Sequence, residues 1–531
     1  MKRTVILNGN DNTIEDVVKV ASGDFRCVLD ENSMKRVKES REGFEKIADQ
    51  VPIYGVTTGY GEMVHILIDR EKETELQTNL VRSHCVAIGP RFSKFESRAI
   101  MVARLNALLK GYSAVRPEVL KQLALYLNED IIPVIPEIGS LGASGDLGPL
   151  SHIAITLIGE GYVFNKEGNV IKTAEFLKEK GIKPLSLKFK EGLSLINGTS
   201  AMTGLGSIIL DKAFQQVRQA ELITALVLES QEASSSPFAQ SGHDIARPHK
   251  GQSDCAKNMR TFISDSRLVV SHEKLRMELD KKGEKIDNAK STEIFLQKAY
   301  SLRCIPQFIG AIRDSLYHTR NILEIEINAS NDNPLFFENE EVFHGGNFHG
   351  QPIATVMDLS CIALTQLGII SERRLNRLLN RHLSNGLPEF LVKVNPGLNC
   401  GFAGAQYPAT ALVAENRTIC NPASIQSVPS NGDNQDVVSM GLIAARNARR
   451  VLDNNWYILA VELLAGVQAI DIKECYSELS AVGKVVYNFT RSKVPTLNED
   501  RYMSDDIEVI ANALKSGKLL DLVANIGIEI L

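Results

Sequence analysis

The run GSLGASGDLGPLSH (residues 139–152) holds a backbone reaction within itself at Ala143-Ser144-Gly145. The Gly145 amide nitrogen can attack the Ala143 carbonyl carbon, and loss of that oxygen as water closes a five-membered ring. Loss of the Ser144 hydroxyl as a second water leaves an exocyclic methylidene. The product is 4-methylidene-imidazol-5-one (MIO), an electrophile made from the chain itself. Each residue type has a reason. Ala143 leaves its carbonyl open, Ser144 supplies the carbon and its leaving hydroxyl, and Gly145 lets the backbone bend into the attack. Helix starts nearby would place positive dipole ends at the ring oxygen, where charge builds when a nucleophile adds. The tripeptide alone also describes a tight turn capping a helix.

Two histidine pairs raise the question of a metal: His344 and His349 in FHGGNFHG, and His243 and His249 in GHDIARPH. Neither pair has the i, i+4 spacing of a helical zinc site and no third ligand is evident, so no metal is expected.

Holding such a loop takes a large core. The chain has 531 residues, 44% of them hydrophobic, enough for one large architecture or two to three domains. Its net charge of −5 gives no reason to expect nucleic acid or an anionic membrane surface. The most basic stretch, Arg373, Arg374, Arg377, Arg381 and His382, recurs at helical spacing and reads as a solvated or salt-bridged helix face. Eight cysteines without a C-x-x-C pair fit reduced thiols in a cytosolic enzyme. The opening MKRTVILNGNDNT is too briefly apolar for a signal peptide, and no transmembrane helix is expected.

A short strand is predicted at Thr4 to Leu7, helices over 70–85 and 96–127, and a helix from His152 to Gly161. Strands and turns are predicted over 162–190. Beyond residue 200 long helical patterns dominate: 201–233, 352–383 and 435–472. The last has roughly 38 residues, about 57 Å at 1.5 Å per residue. Helices of that length suggest a bundle shared between subunits, hence a homo-oligomer. The fold class is mainly α, with a mixed N-terminal region (1–200) and a long-helix core with a C-terminal helical region (201–531).

The ring-forming string resembles the signature of the MIO-dependent aromatic amino acid ammonia-lyases and aminomutases. LINGTSAM (195–202), YSLR (300–303), NDNPL (331–335), FHGGNFHG (343–350) and NQDVVSMGL (434–442) look like further blocks of that family, in family order. The resemblance spans roughly residues 50 to 450. It implies the histidine ammonia-lyase-like fold and a homotetramer whose sites each draw on three subunits. It also implies that MIO forms autocatalytically from Ala143-Ser144-Gly145, with no external cofactor.

The resemblance further implies roles. Tyr54, in a glycine-rich loop matching the family's inner lid, is the base that removes the β-proton. Gly61 on that loop sits against the amine. Tyr300 is a second active-site tyrosine, given by a neighbouring subunit. Arg303 grips the substrate carboxylate, which a planar guanidinium can do bidentately. Asn197 lies near the ring and that carboxylate. Phe348 packs against the electrophile. Asn431 and Gln435 face the amine side and Tyr300.

His84, in LQTNLVRSHCVAIGP, lies where family members read the substrate side chain. A histidine there can bond a phenol or an imidazole and argues against phenylalanine. Gln435 stands where histidine ammonia-lyases carry glutamate. Together these favour tyrosine. PIYGVTTGYGEM, LQTNLVRSH, NRHLSNGLPEFLV, GFAGAQYPATALVAENRTI and SVPSNGDNQDVVSMGLI are similar to the bacterial tyrosine 2,3-aminomutases of secondary metabolism. Cys85-Val86-Ala87 departs from the small residues usual after the histidine. The implied reaction moves the amine of L-tyrosine to Cβ through 4-hydroxycinnamate, feeding a secondary-metabolite (antibiotic) pathway in the cytoplasm. The alternatives are a tyrosine ammonia-lyase and, further off, a histidine ammonia-lyase.

Overall fold

A computed structural model describes residues 3–48, 50, 52–281, 297–337 and 341–531. The protein is mainly α-helical; among the described residues, short two- and three-stranded sheets lie within the first 172 residues and at 335–343. It forms two compact units, each assembled from three segments. The first comprises Met1–Asp211, His318–Leu359 and Pro422–Ala448; the second comprises Lys212–Tyr317, Ser360–Asn421 and Arg449–Leu531. The division expected near residue 200 is therefore replaced by an interleaved one. Composition changes at 200, but four helices, Ser200–Ser230, Ile305–Ile327, Gln351–Leu379 and Gly441–Lys473, each contribute residues to both units.

In the first unit, strand Arg3–Leu7 pairs in parallel with Phe25–Leu29 around helix Ile14–Ser22. That helix starts in a capping box of Thr13 and Asp16 and stops at left-handed Gly23. The stretch 96–127 is two helices, Lys94–Leu109 and Pro117–Asn128. Gly111 and Ala114 take positive φ between them, and Pro117 starts the second. The first of these is buried all round from Ser97 to Leu109.

Strand Ile88–Arg91 pairs with Pro136–Ile138. This brings the end of helix Glu73–His84 beside the approach to residue 143. Helix Leu147–Leu157 begins directly after the Ala-Ser-Gly turn, five residues before the expected start. Between 162 and 190 the expected strands exist at Tyr162–Phe164 and Val170–Lys172, but Thr173–Lys180 is helical. Its residues are mostly good helix formers and Gly181 ends it in the left-handed region.

The last long helix starts at Gly441 rather than 435, because Asn431, Gly432, Asp433 and Met440 all take positive φ. In the second unit, Arg374 is fully buried and paired with fully buried Glu462, so the basic run is not a solvated face there. Arg381 does lie exposed, near Glu389. A second buried pair joins Arg313 to Glu221 by two bonds of 2.7 and 2.8 Å. Gln351–Leu379 and Gly441–Lys473 are long and apolar enough to cross a membrane by length and composition alone. Of their apolar stretches, 72% and 83% are buried inside the protein, as in core helices.

Candidate active site

The loop at residue 143 is held in a conformation most residues avoid. Gly142, Ser144 and Gly145 have φ of 77°, 52° and 80°, the left-handed region where a non-glycine residue costs energy. The chain doubles back so that the Gly145 N–H donates to Gly142 O at 3.3 Å. A Cβ on Gly145 would lie 2.2 Å from Gly198 O, and one on Gly142 would lie 2.1 Å from Ser439 Oγ. Both glycines are thus required by close approach. The Met440 N–H donates to Leu141 O and the Asp146 N–H to Gly198 O, clamping the turn on both sides.

The Ser144 carbonyl is the oxygen that an imidazol-5-one would keep. It accepts from Asn197 Nδ2 at 3.0 Å and from the Gly198 N–H at 3.4 Å. Both donors stand just before helix Ser200–Ser230. Asn197 cannot flip, because its Oδ1 accepts the Asn333 N–H at 2.8 Å. The Ser144 hydroxyl, the group to be lost, accepts from Gln435 Nε2 at 3.3 Å, and Gln435 Oε1 is held by Ser430 Oγ at 2.8 Å. The residues present therefore fit an MIO ring: a strained Ala-Ser-Gly turn, a donor pair on the retained oxygen and a donor on the leaving hydroxyl.

Asp146 is wholly buried beside this turn. Its carboxylate accepts from Ser140 Oγ and the Met202 N–H, both at 2.8 Å, and burial raises it to about 6.

Tyr54 sits on the glycine-rich loop, where its phenol oxygen accepts the Gly61 N–H at 2.9 Å. That bond fixes the position of the phenol oxygen beside Gly61. The neighbouring Tyr60 packs edge-on at 6.2 Å, and burial raises its phenol far above the usual range. Gln77 roots the loop: its Nε2 donates to Gly55 O and to the Tyr60 hydroxyl, both at 2.9 Å, while its Oε1 accepts the Leu193 N–H. Gly61 faces Asn431, which a Cβ would meet at 2.2 Å.

His84 ends helix Glu73–His84, half-buried, with Nδ1 2.9 Å from Leu80 O and 3.0 Å from Ser83 Oγ. Phe348 is half-buried in the turn before helix Gln351–Leu379, next to His349, whose Nε2 lies 3.1 Å from Val437 O. Tyr300 and Arg303 belong to the second unit. There the Arg303 guanidinium lies over the Tyr300 ring at 4.6 Å and donates to Lys298 O, and Tyr300 is 71% exposed.

The structure thus brings Ser144, Asn197 and Gln435 together, and Tyr54, Gly61 and Asn431. Gly198, Asn333, Ser430 and Gln77 were not foreseen. Each lies inside a stretch already noted (LINGTSAM, NDNPL, SVPSNGDNQDVVSMGLI and LQTNLVRSH), where partners of the named residues could have been sought. Both ring nitrogens of His243 are engaged, by Pro237 O and Gln252. Among the described residues no group of three His, Cys, Asp or Glu could hold a metal ion.

Comparison with known proteins places this geometry. The family described as aromatic amino acid lyase matches residues 12–492, and the chain belongs to that family. It is 61% identical over 521 residues to the MIO-dependent tyrosine 2,3-aminomutase of Streptomyces globisporus, covering 98% of this chain and 96% of the relative. It is 57% identical over 525 residues to a tyrosine ammonia-lyase of Cupriavidus metallidurans, covering 99% and 98%. The crystal structure of tyrosine aminomutase from Streptomyces globisporus superposes with a TM-score of 0.97 at 60% identity, covering 99% of this chain and 100% of that one.

Proposed function

We propose that this protein is an MIO-dependent tyrosine 2,3-aminomutase, converting L-tyrosine to β-tyrosine and feeding a secondary-metabolite (antibiotic) pathway from the cytosol. The observation that carries this reading is the Ser144 carbonyl held by Asn197 Nδ2 and the Gly198 N–H. That pair is placed to take up the negative charge that appears when an amine adds to an electrophile at residue 144. Eight free cysteines agree with a reducing compartment.

Formed from Ala143-Ser144-Gly145 without added reagents, MIO supplies a carbon that takes up the substrate amine and makes it a better leaving group. The rest falls to the side chains. Tyr54, its oxygen poised by the Gly61 N–H, takes the proton from Cβ. His84 receives the substrate phenol. Arg303 binds the substrate carboxylate and Tyr300 completes the site, both from a neighbouring copy in a homotetramer; the 71% exposure of Tyr300 in the single chain supports that reading. Phe348 packs beside the electrophile, and Asn431 and Gln435 line the amine side. The lid carrying Tyr54 and Gly61 keeps 4-hydroxycinnamate in place until the amine returns at Cβ. Met63, Val64, Ile66 and Leu67, all exposed on that loop, give it an apolar surface for closure.

The test is to supply L-tyrosine, L-phenylalanine and L-histidine separately, with no cofactor, and resolve products by chiral chromatography with mass detection. β-Tyrosine is expected from tyrosine. 4-Coumarate alone would make the protein a tyrosine ammonia-lyase, the reading that the 57% relative favours. Mixing inactive Ser144→Ala and Tyr300→Phe chains, with exchange of subunits, restores activity if Tyr300 acts in its neighbour's site.

A further inference from the structure

Arg104 lies within helix Lys94–Leu109 and is completely buried. Among the described residues its guanidinium meets only neutral oxygens. Nη1 donates to Asn331 Oδ1 at 2.9 Å and to Ser200 Oγ at 3.4 Å, Nη2 donates to Ser194 O, and Nε is left over. A buried cation without a carboxylate in contact is expensive. Burial lowers Arg104 only to about 10, so it remains charged at neutral pH. The nearby carboxylate, Asp332, is engaged elsewhere, by Lys190 Nζ at 2.6 Å and Ser113 Oγ at 2.8 Å.

What the guanidinium does face is Gly198. A Cβ there would lie 2.3 Å from Arg104 Nη1 and 2.5 Å from Asn331 Oδ1. Gly198 is the residue whose N–H donates to the Ser144 oxygen. The second donor rests on the same support. Asn331, which accepts from Arg104, donates through Nδ2 to Thr199 Oγ1 at 2.8 Å, and two residues on, the Asn333 N–H fixes Asn197 Oδ1. Both donors on the Ser144 oxygen therefore stand on one platform, and a bare cation is built into it.

We propose that Arg104 is a positioning residue for this site: its buried charge, acting through the Gly198 peptide, strengthens the Asn197–Gly198 donor pair on the Ser144 oxygen. The inference rests on the electrophile being formed at Ser144, and not on the substrate or on mutase over lyase. Lys190 adds to the field from beyond Asp332, and Asp332 subtracts from it. Asp146 and Glu326, buried beside the same loops and raised by that burial, set the opposing background. A charge series on the platform then has signs that mere packing damage does not produce.

The experiment uses full-length protein and a small probe nucleophile, potassium cyanide. The electrophile gives a difference absorbance against Ser144→Ala, and cyanide addition consumes it at a measurable rate. Arg104→Gln and Lys190→Met should slow the addition, the first on the order of 10- to 50-fold, whereas Asp332→Asn should speed it. Arg104→Lys, which keeps the charge, should recover most of the loss. Far-UV circular dichroism and melting temperature report on folding separately. If Arg104→Gln does not fold, the opposed pair Lys190→Met and Asp332→Asn carries the test. Slowing in both members of that pair, an unchanged rate in folded Arg104→Gln, or equal slowing in Arg104→Lys and Arg104→Gln would overturn the proposal. Absence of the absorbance in the wild type would instead overturn the reading of the electrophile.

Discussion

Gly61 and Asn431 meet face to face: a Cβ on Gly61 would reach within 2.2 Å of Asn431 Nδ2, while the Gly61 N–H donates to the Tyr54 oxygen at 2.9 Å. One glycine therefore joins its own glycine-rich loop, the Tyr54 phenol and the 430–435 loop, at a φ of 55° that favours glycine further. Gly61→Ala should push Asn431 and the lid apart and move the phenol oxygen. Misplacement of this kind costs about 100-fold in kcat. A lid that closes poorly should also release more 4-hydroxycinnamate. The check is the ratio of β-tyrosine to 4-hydroxycinnamate over time; a slower enzyme with an unchanged ratio would separate the lid from amine return.

His84 has its tautomer set by the backbone. Leu80 O can only accept, so the Nδ1 facing it at 2.9 Å carries the proton and Nε2 offers a lone pair. On the proposed reading, in which His84 receives the substrate phenol, the group facing Nε2 must donate. O-Methyl-L-tyrosine should lose at least about 100-fold in kcat/KM relative to tyrosine, and 4-amino-L-phenylalanine, which still donates, should remain a substrate. Equal turnover of O-methyl-L-tyrosine would show that His84 does not read the phenol proton.

Much of this site was legible in the chain because its chemistry depends on residue types at fixed spacing. Ala143-Ser144-Gly145 can close a ring only in that order, and the small residues around it had to come from close approach. Hidden from the sequence were the contacts that orient the named groups. Asn197 works as a donor only because the Asn333 N–H, 136 residues on, holds its other end. Gln435 donates to Ser144 only because Ser430 takes its oxygen. Neither partner is chemically unusual, so nothing local marks it. Helix ends beyond residue 200 were misjudged for a related reason. Periodicity runs on through 435–440, but positive φ at Asn431, Asp433 and Met440 belongs to a loop built around Ser144. Arg374 looked like surface because charge at helical spacing usually is; its partner Glu462 lies 88 residues away.

Burial of Asp146 links stability to pH. In the folded chain the carboxyl titrates near 6, above its ordinary 3.8. The folded state therefore holds the proton more tightly than the unfolded one. This contribution is complete below about pH 3.8 and is lost as pH rises through about 6, to the extent of about 3 kcal/mol. Asp146→Asn, which stays neutral throughout, should flatten this part of the profile. Melting temperatures of wild type and variant between pH 4 and pH 7.5 provide the check. The wild type should fall relative to the variant as pH rises, and parallel curves would mean that the Asp146 proton is held no more tightly when folded.

Asn197 offers the sharpest separation between making the electrophile and using it. Its Nδ2 is one of two donors on the Ser144 oxygen, and its Oδ1 is committed to Asn333. Asn197→Ala removes one donor and leaves the Gly198 N–H, so kcat should fall by about 10²–10³-fold, as for loss of one oxyanion donor elsewhere. Asn197→Asp can still accept from Asn333, but it sets an ionised oxygen where Nδ2 had been, against the oxygen on which charge must grow. It should therefore be worse than Asn197→Ala, although it is closer in shape to the native side chain. Steady-state kcat for the two variants, each corrected for the fraction of chains showing the electrophile's absorbance, measures this order. The reverse order would mean that Asn197 acts by filling space and not by donating a proton to the Ser144 oxygen.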